Sequence, residues 1–291
     1  MRYRSGGAFR AALEERLNAW AAGHAVSHSR LRKLVTFERF VARLQTGGDE
    51  RWLLKGGFAL QLRLGDRART TRDVDISVNL GVSAGTNVSV DRLSEELGVA
   101  ATRDLGDFFV FEVGACRELP LQVGPVRAYR YPVKCLLAGK SFERFHVDAG
   151  VGDPVVAPPV DLPDSGRLDF AGLPRVTFRA IAPEQHFAEK VHALTLPREG
   201  RENSRTRDLA DLMLLLDLGL GGGDSVRAAV HGVFNARKTH PLPEVLEDPP
   251  AFWNREYEAL AAELGQGERT LETAMTRLRD YWRRLRFFTG H

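Results

Sequence analysis

Residues 52–78 read WLLKGGFALQLRLGDRARTTRDVDISV, and this stretch decides the fold. The apolar run Trp52-Leu53-Leu54 predicts a strand that reaches a glycine pair, Gly56-Gly57. FALQLRL then has the length and spacing of a short helix, and VDISV forms a second strand carrying Asp73 and Asp75. Alternation along a strand puts both acids on one face, about 6–7 Å apart. Two carboxylates held that way suit a hard divalent cation. A glycine turn at a helix N-terminus presents backbone N–H groups and the positive end of the helix dipole to an anion such as a triphosphate. Lys55, beside the glycines, is a secondary phosphate-binding candidate, although a lysine at a strand end is often simply solvated.

Working outward, a chain of 291 residues with 43% hydrophobic content has enough apolar surface for one large or two modest domains. Its two cysteines, Cys116 and Cys135, give neither a disulfide framework nor metal-ligand spacing, and read as free thiols in a reducing interior. The N-terminus lacks the apolar core of a signal peptide, and no apolar run is long enough to span a bilayer, so a cytoplasmic protein without membrane association is expected. A net charge of +3 is too small by itself to claim a nucleic-acid partner. None of the eight histidines forms a tight metal pattern, and no serine or cysteine nucleophile motif stands out.

Residues 8–23 and 29–45 have the apolar spacing of two amphipathic helices. From about 50 to 152 the period turns toward strands (WLL, VDISV, FFVFEV, RAYRYPVKCLL, ERFHVDAGV), with VDRLSEELG as an intervening helix and AGKS as the turn of an antiparallel hairpin. The Pro-, Gly- and Asp-rich segment 153–177 reads as a crossing segment or linker. Helices follow at 183–196, 205–219, 224–238, 250–264 and 270–288. The expected organisation is α/β (α+β): N-terminal helices over 1–48, a mixed-sheet core over 49–178 and a C-terminal helical domain over 179–291.

A Gly-Gly turn followed by D-x-D on the next strand resembles the minimal nucleotidyltransferase signature of the polymerase β superfamily. The blocks LLKGGFALQL, RTTRDVDIS, EKVHAL and RDLADLMLL resemble, more narrowly, the AbiEii/AbiGii-type nucleotidyltransferase toxins, including the MenT group, over roughly residues 50 to 220. The resemblance implies a polymerase β-like core that binds a nucleoside triphosphate at Gly56, Gly57, Thr71 and Lys55. It implies Mg2+ or Mn2+ on Asp73 and Asp75, with a third ligand on a neighbouring strand. Asp148 in FHVDAGV fits that description, with Glu143 and Asp153 as weaker substitutes.

In APEQHFAEKVHAL, Phe187, Val191 and Leu194 make a buried stripe, and His186 and Lys190 lie four apart on an adjoining face. The resemblance gives Lys190 a charge role toward the triphosphate. The plainer reading is a solvated helix lysine; the charge role predicts that its replacement leaves stability intact, whereas lost stability with activity kept would mark a structural residue. In SRTRDLADLMLLL, Asp208 and Asp211 lie opposite the stripe Leu209, Leu212, Leu216, as if facing a cleft. The toxins treat the second acid as active-site, so Asp211 leads and Asp208 follows, with Arg205 and Arg207 available to orient them. Both acids could instead serve only the first turn of the helix.

By the same resemblance the chain is a toxin that transfers nucleotides to RNA, at a tRNA 3′ acceptor end, and is neutralised by a cognate antitoxin. Transfer to a protein or small-molecule hydroxyl, or a non-catalytic nucleotide- or RNA-binding module, are the alternatives on the same core. The last helix, TRLRDYWRRLRFF, interleaves Arg277, Arg279, Arg283, Arg284 and Arg286 with aromatics, which suits RNA. It equally suits a basic helix capping a core through Leu278, Trp282, Leu285 and Phe288.

Overall fold

The computed structural model describes residues 1–24, 26–78, 89–119, 127–198, 203, 205–285 and 287. Arg286 and Phe288 of the last predicted helix lie outside them. The first half of the chain runs through α1 (Gly6–His24), α2 (His28–Gln45), β1 (Trp52–Lys55), α3 (Gly56–Leu64), β2 (Asp73–Val78), α4 (Val90–Ala101), β3 (Phe109–Val113), β4 (Arg117–Leu119), β5 (Arg127–Leu137) and β6 (Lys140–Val151). Then come β7 (Val160–Pro163), β8 (Thr177–Ala180), α5 (Pro183–Thr195), α6 (Thr206–Asp217), α7 (Gly223–Arg237), α8 (Trp253–Leu264) and α9 (Leu271–Arg284). No helix of the described residues is long and apolar enough to cross a membrane.

Among the described residues the strands form one mixed sheet in the order β3-β5-β6-β2-β1-β8-β7, with β4 also paired to β5. β2 is antiparallel to β1 and parallel to β6, which places the second strand of residues 52–78 at the centre of the sheet. The predicted β5–β6 hairpin is present. Its two-residue turn, Ala138-Gly139, has φ of 54° and 72°, the positive pair that matches the twist of the flanking strands. Residues 153–177 are not a simple linker. They include β7, which returns antiparallel to β8 and extends the sheet beyond β1. Pro158, Pro159 and Pro163 bracket this strand, and the prolines masked its short apolar pattern from a sequence reading.

Alternation splits the strands cleanly. Phe145, Val147 and Ala149 of β6, with Tyr131 and Val133 of β5, point into a core shared with Phe9 and Leu13 of α1 and with Leu34, Phe37 and Phe40 of α2. Full burial of each such side chain contributes roughly 1.5–3 kcal/mol. A second core unites α5–α9 around Phe187, Leu209, Leu212, Trp253, Leu278 and Trp282. Helix α3 belongs to both, sending Phe58 and Ala59 into the first core and Leu60 and Leu64 into the second. The glycine turn at its start therefore sits at the seam between the two bodies.

Candidate active site

Gly56 and Gly57 are required by contact as well as by turn geometry. Gly56 has φ +63°, and a Cβ built on it would lie 2.0 Å from Oδ2 of Asp75. A Cβ on Gly57 would lie 2.7 Å from Oγ1 of Thr71. At Gly56 there is room only for hydrogen between the start of α3 and Asp75 of β2, and the side chain of the N-cap residue Lys55 does not cap that helix. The Thr71 hydroxyl is buried here and donates to the backbone carbonyl of Asp73 at 3.2 Å.

Strand register then assembles the carboxylates. Asp75 is paired in register with Asp148 across β2 and β6, and Asp148 with Arg130 across β6 and β5. Arg130 donates to Asp148 through Nε at 2.7 Å and Nη2 at 2.6 Å, and Nη2 lies 3.5 Å from Asp73. Burial, and then the negative charge of Asp148, push the Asp75 carboxyl up to about 6. Burial opposes charge on Arg130, yet its hydrogen bond to Asp148 comes first and holds the guanidinium above its ordinary range. Three carboxylates on one face, two of them in mutual repulsion and already drawing a cation, form an oxygen-only donor set suited to Mg2+ or Mn2+. Among the described residues no three His, Cys, Asp or Glu side chains converge on one point as they stand. At this site Arg130 engages the third.

Lys190, Asp208 and Asp211 are brought together, but buried rather than on a cleft wall. Nζ of Lys190 lies 2.8 Å from Asp208 and 2.7 Å from Asp211. Asp211, fully buried, also accepts two hydrogen bonds from Arg69, each 2.9 Å, and Arg205 reaches Asp208 at 3.3 Å. Burial works against the charge on Lys190, but Asp208 and Asp211 outweigh it and hold the ammonium above its usual range. The same balance, struck by Lys190 and Arg205, keeps Asp208 below the ordinary carboxylate range. His186, four residues before Lys190, is buried, and burial drives its imidazole well below its usual pKa.

Arg69 is one of two residues the sequence reading missed. Its guanidinium lies 3.4 Å from where a Cβ of Gly57 would stand, so it spans from Asp211 to the glycine turn. Its signal was its place two residues before Thr71 in the quoted stretch. Arg130 was missed as well, because only the strand register reveals it opposite Asp148.

Lys55, in register with Asp75, is turned toward Gly150 and contacts Asp153, which also accepts from Arg237 at 2.7 Å. Burial disfavours the Lys55 charge, but Asp153 raises it overall; in turn Lys55 and Arg237 hold Asp153 far below its ordinary range despite burial. Asp153 is thus occupied by two cations and does not stand beside Asp73. Glu143 is excluded for another reason: it lies in register with buried Cys135 and reaches Arg32 at 3.7 Å, on the α2 side of the sheet.

The last helix is engaged by its own surroundings. Arg277 pairs with Asp217 and Glu268, Arg279 with Asp248, and Arg283 with Asp280, while Leu278, Trp282 and Leu285 are buried.

A central Gly-Gly turn against a D-x-D strand, flanked by a mixed sheet and closed by a helical body, defines a nucleotidyltransferase-type site. Residues 39–284 match the family of AbiEii nucleotidyl transferase toxins of type IV toxin–antitoxin systems, and the chain belongs to that family. No curated protein matches it. Among solved structures it is similar to JHP933 of Helicobacter pylori, at 15% identity and TM-score 0.44, covering 89% of this chain and 92% of that one. A second H. pylori protein, described as a nucleotidyltransferase, is 16% identical with TM-score 0.47, over 91% and 100% of the two chains. An antigenic nucleotidyltransferase-like protein of Paracoccidioides brasiliensis gives 15% and 0.41, over 80% and 92%.

Proposed function

We propose that this chain transfers a nucleotide from a nucleoside triphosphate to the 3′ hydroxyl of an RNA, a tRNA acceptor end being the target that would block translation. The observation that carries the reading is the contact of Gly56 with Asp75, which puts a helix N-terminus directly beside one of three carboxylates that share a sheet face. The acceptor oxygen attacks the α-phosphorus, the bond to the β-phosphate bridging oxygen breaks, pyrophosphate leaves, and the hydroxyl proton passes to a carboxylate or solvent. Asp73 and Asp75, with Asp148 as the third, are the residues that would hold Mg2+ or Mn2+; the ion would lower the pKa of the attacking hydroxyl and screen charge on the phosphates.

The protein's own groups account for the remaining work. The first N–H groups of α3 cradle the terminal phosphates, with Arg69 beside Gly57 as fixed positive charge and Lys190, buried between Asp208 and Asp211, adding charge at longer range. Asp208 and Asp211 are positioning residues that hold those two cations in place. Thr71 fixes the strand entering Asp73, and Lys55 secures the floor through Asp153. A cognate antitoxin is the partner that toxin–antitoxin membership brings to this chain. Incubating the protein with total RNA and each α-labelled triphosphate, then separating RNA, protein and small molecules on one gel, tests the reading. Label in RNA supports it; label only in protein or in a small molecule replaces the acceptor.

A further inference from the structure

Over β5 and β6 the sheet face that carries the carboxylates is exposed at Pro132, Arg144 and His146, and its charge is graded. Across β5, β6 and β2, one row is Arg130, Asp148 and Asp75; the next is Pro132, His146 and Asp73; the next is Lys134 and Arg144. Each row is two residues along the strands from the last, about 6.5–7 Å. A groove of about 810 Å³ runs over these rows, begins at Asp73, and gathers Lys33, Arg72, Arg130, Lys134, Arg144 and His146. Lys134 is paired with Glu112 and Arg130 with Asp148. Lys33, Arg72 and Arg144 form no ion pair with a carboxylate among the described residues, and Arg72, Arg144 and His146 are exposed.

We infer that this groove is the track for the acceptor strand: a single-stranded RNA 3′ end lies along it, its phosphates on Lys33, Arg72 and Arg144, its terminal hydroxyl delivered to Asp73 and the neighbouring Asp75–Asp148 row. The inference rests on the proposed transfer to RNA and adds the surface that performs it. Three reasons favour a nucleic-acid strand over an acidic protein segment. The unpaired positive charge gathers around one groove that reaches Asp73, where an acceptor hydroxyl must arrive. The step between rows is on the order of the spacing of consecutive phosphates in an extended strand. Exposed His146 and Pro132 between the charged rows supply flat surfaces for bases to stack on. The last helix, where Arg277, Arg279 and Arg283 already pair with carboxylates, is not the track.

The test uses the full chain and a fluorescent hairpin RNA with a short single-stranded 3′ tail, titrated at several salt concentrations. The double variant Lys33→Glu/Arg144→Glu should weaken RNA binding by tenfold or more near 0.1 M salt. It should also reduce the slope of log K against log salt by about 1.4, two contacts at ~0.7 each for a single strand. Binding of the triphosphate with Mg2+ should be unchanged, and Arg283→Glu/Arg284→Glu should leave RNA affinity as in the wild type. If the reversal variant fails to fold, Lys33→Gln/Arg144→Gln replaces it, with a smaller loss expected in the same direction. Unaltered RNA affinity and salt slope in a folded groove variant, while the wild type still labels RNA, overturns the track alone and points to an acidic protein segment there. A wild type that neither binds nor labels RNA removes the track together with the proposed function.

Discussion

Lys190→Met is the most revealing single perturbation, because it separates a surface charge from a buried one. The methionine keeps the length of the side chain and removes the ammonium that Asp208 and Asp211 share at 2.8 and 2.7 Å. Removing one partner of a buried ion pair costs roughly 3–5 kcal/mol. Each acid here retains another cation, Arg69 for Asp211 and Arg205 for Asp208, so the low end, ~3 kcal/mol, is expected. For a chain of this size that is a fall of about 6–12 °C in Tm. The deficit should depend on pH with a definite sign. In the wild type the lowered pKa of Asp208 contributes stability that is present above the ordinary carboxylate range and lost as pH falls through it. The gap between wild type and variant should therefore be widest above pH ~5 and narrow below ~4. Thermal melts and urea titrations at both pH values, without divalent ions, measure it. Adding Asp208→Asn to Lys190→Met should recover ~1 kcal/mol or more, because the second change removes an unpaired buried charge. A Lys190→Met protein melting within about 2 °C of wild type at pH 7.5 would refute the reasoning, since a loss of ~3 kcal/mol cannot produce so small a shift.

The remaining perturbations probe the carboxylate row. Asp75, raised from 3.8 to about 6, destabilises the metal-free fold increasingly as pH rises from ~4 to ~6; Asp75→Asn should then be near-neutral in stability at pH 4.5 and more stable than wild type by ~1–3 kcal/mol at pH 8, while losing transfer. Equal stability differences at the two pH values would contradict the burial of Asp75 and its repulsion by Asp148. Gly56→Ala should cost ~1–2 kcal/mol from its positive φ, with further loss from pushing Asp75 aside, and should cut turnover by about 10² or more. Gly7→Ala in α1, where an added Cβ meets nothing within 4 Å, should be neutral or stabilising, and parity between the two glycine variants would show the Gly56 contact to be irrelevant. Induced in a bacterium, the wild-type chain should arrest growth and Asp73→Ala should not; equal arrest by both would move toxicity from catalysis to binding.

Residues 52–78 were legible because each element there obeys a local rule: an apolar strand, a glycine turn, a short amphipathic helix, and a period-2 strand whose acids share a face. Asp148 was legible for the same reason, as an acid embedded in a strand pattern. Arg130 and Arg69 were not, since each earns its place through pairing across 18 and 142 residues of sequence, which no local period encodes. Lys190 was placed on the right helix and given the wrong environment. Helical periodicity sets its face, but whether that face meets water or Asp208 and Asp211 is decided by the packing of α5 on α6. Asp153 and Glu143 show the converse: acids close to the right strand in sequence, one held by Lys55 and Arg237, the other on the opposite face of the sheet.

The most direct test of nucleotide transfer to RNA is a single-turnover assay with Mg2+, an α-labelled triphosphate and a tRNA pool, run in parallel with the same RNA after periodate oxidation of its 3′ ends. Wild-type protein should label intact RNA and release pyrophosphate, should leave oxidised RNA unlabelled, and should lose at least ~10³ in rate on Asp73→Asn, because a metal ligand is removed while the side-chain shape is kept. Equal labelling of oxidised RNA, or undiminished labelling by a folded Asp73→Asn protein, would contradict transfer to a 3′ hydroxyl at the carboxylate row.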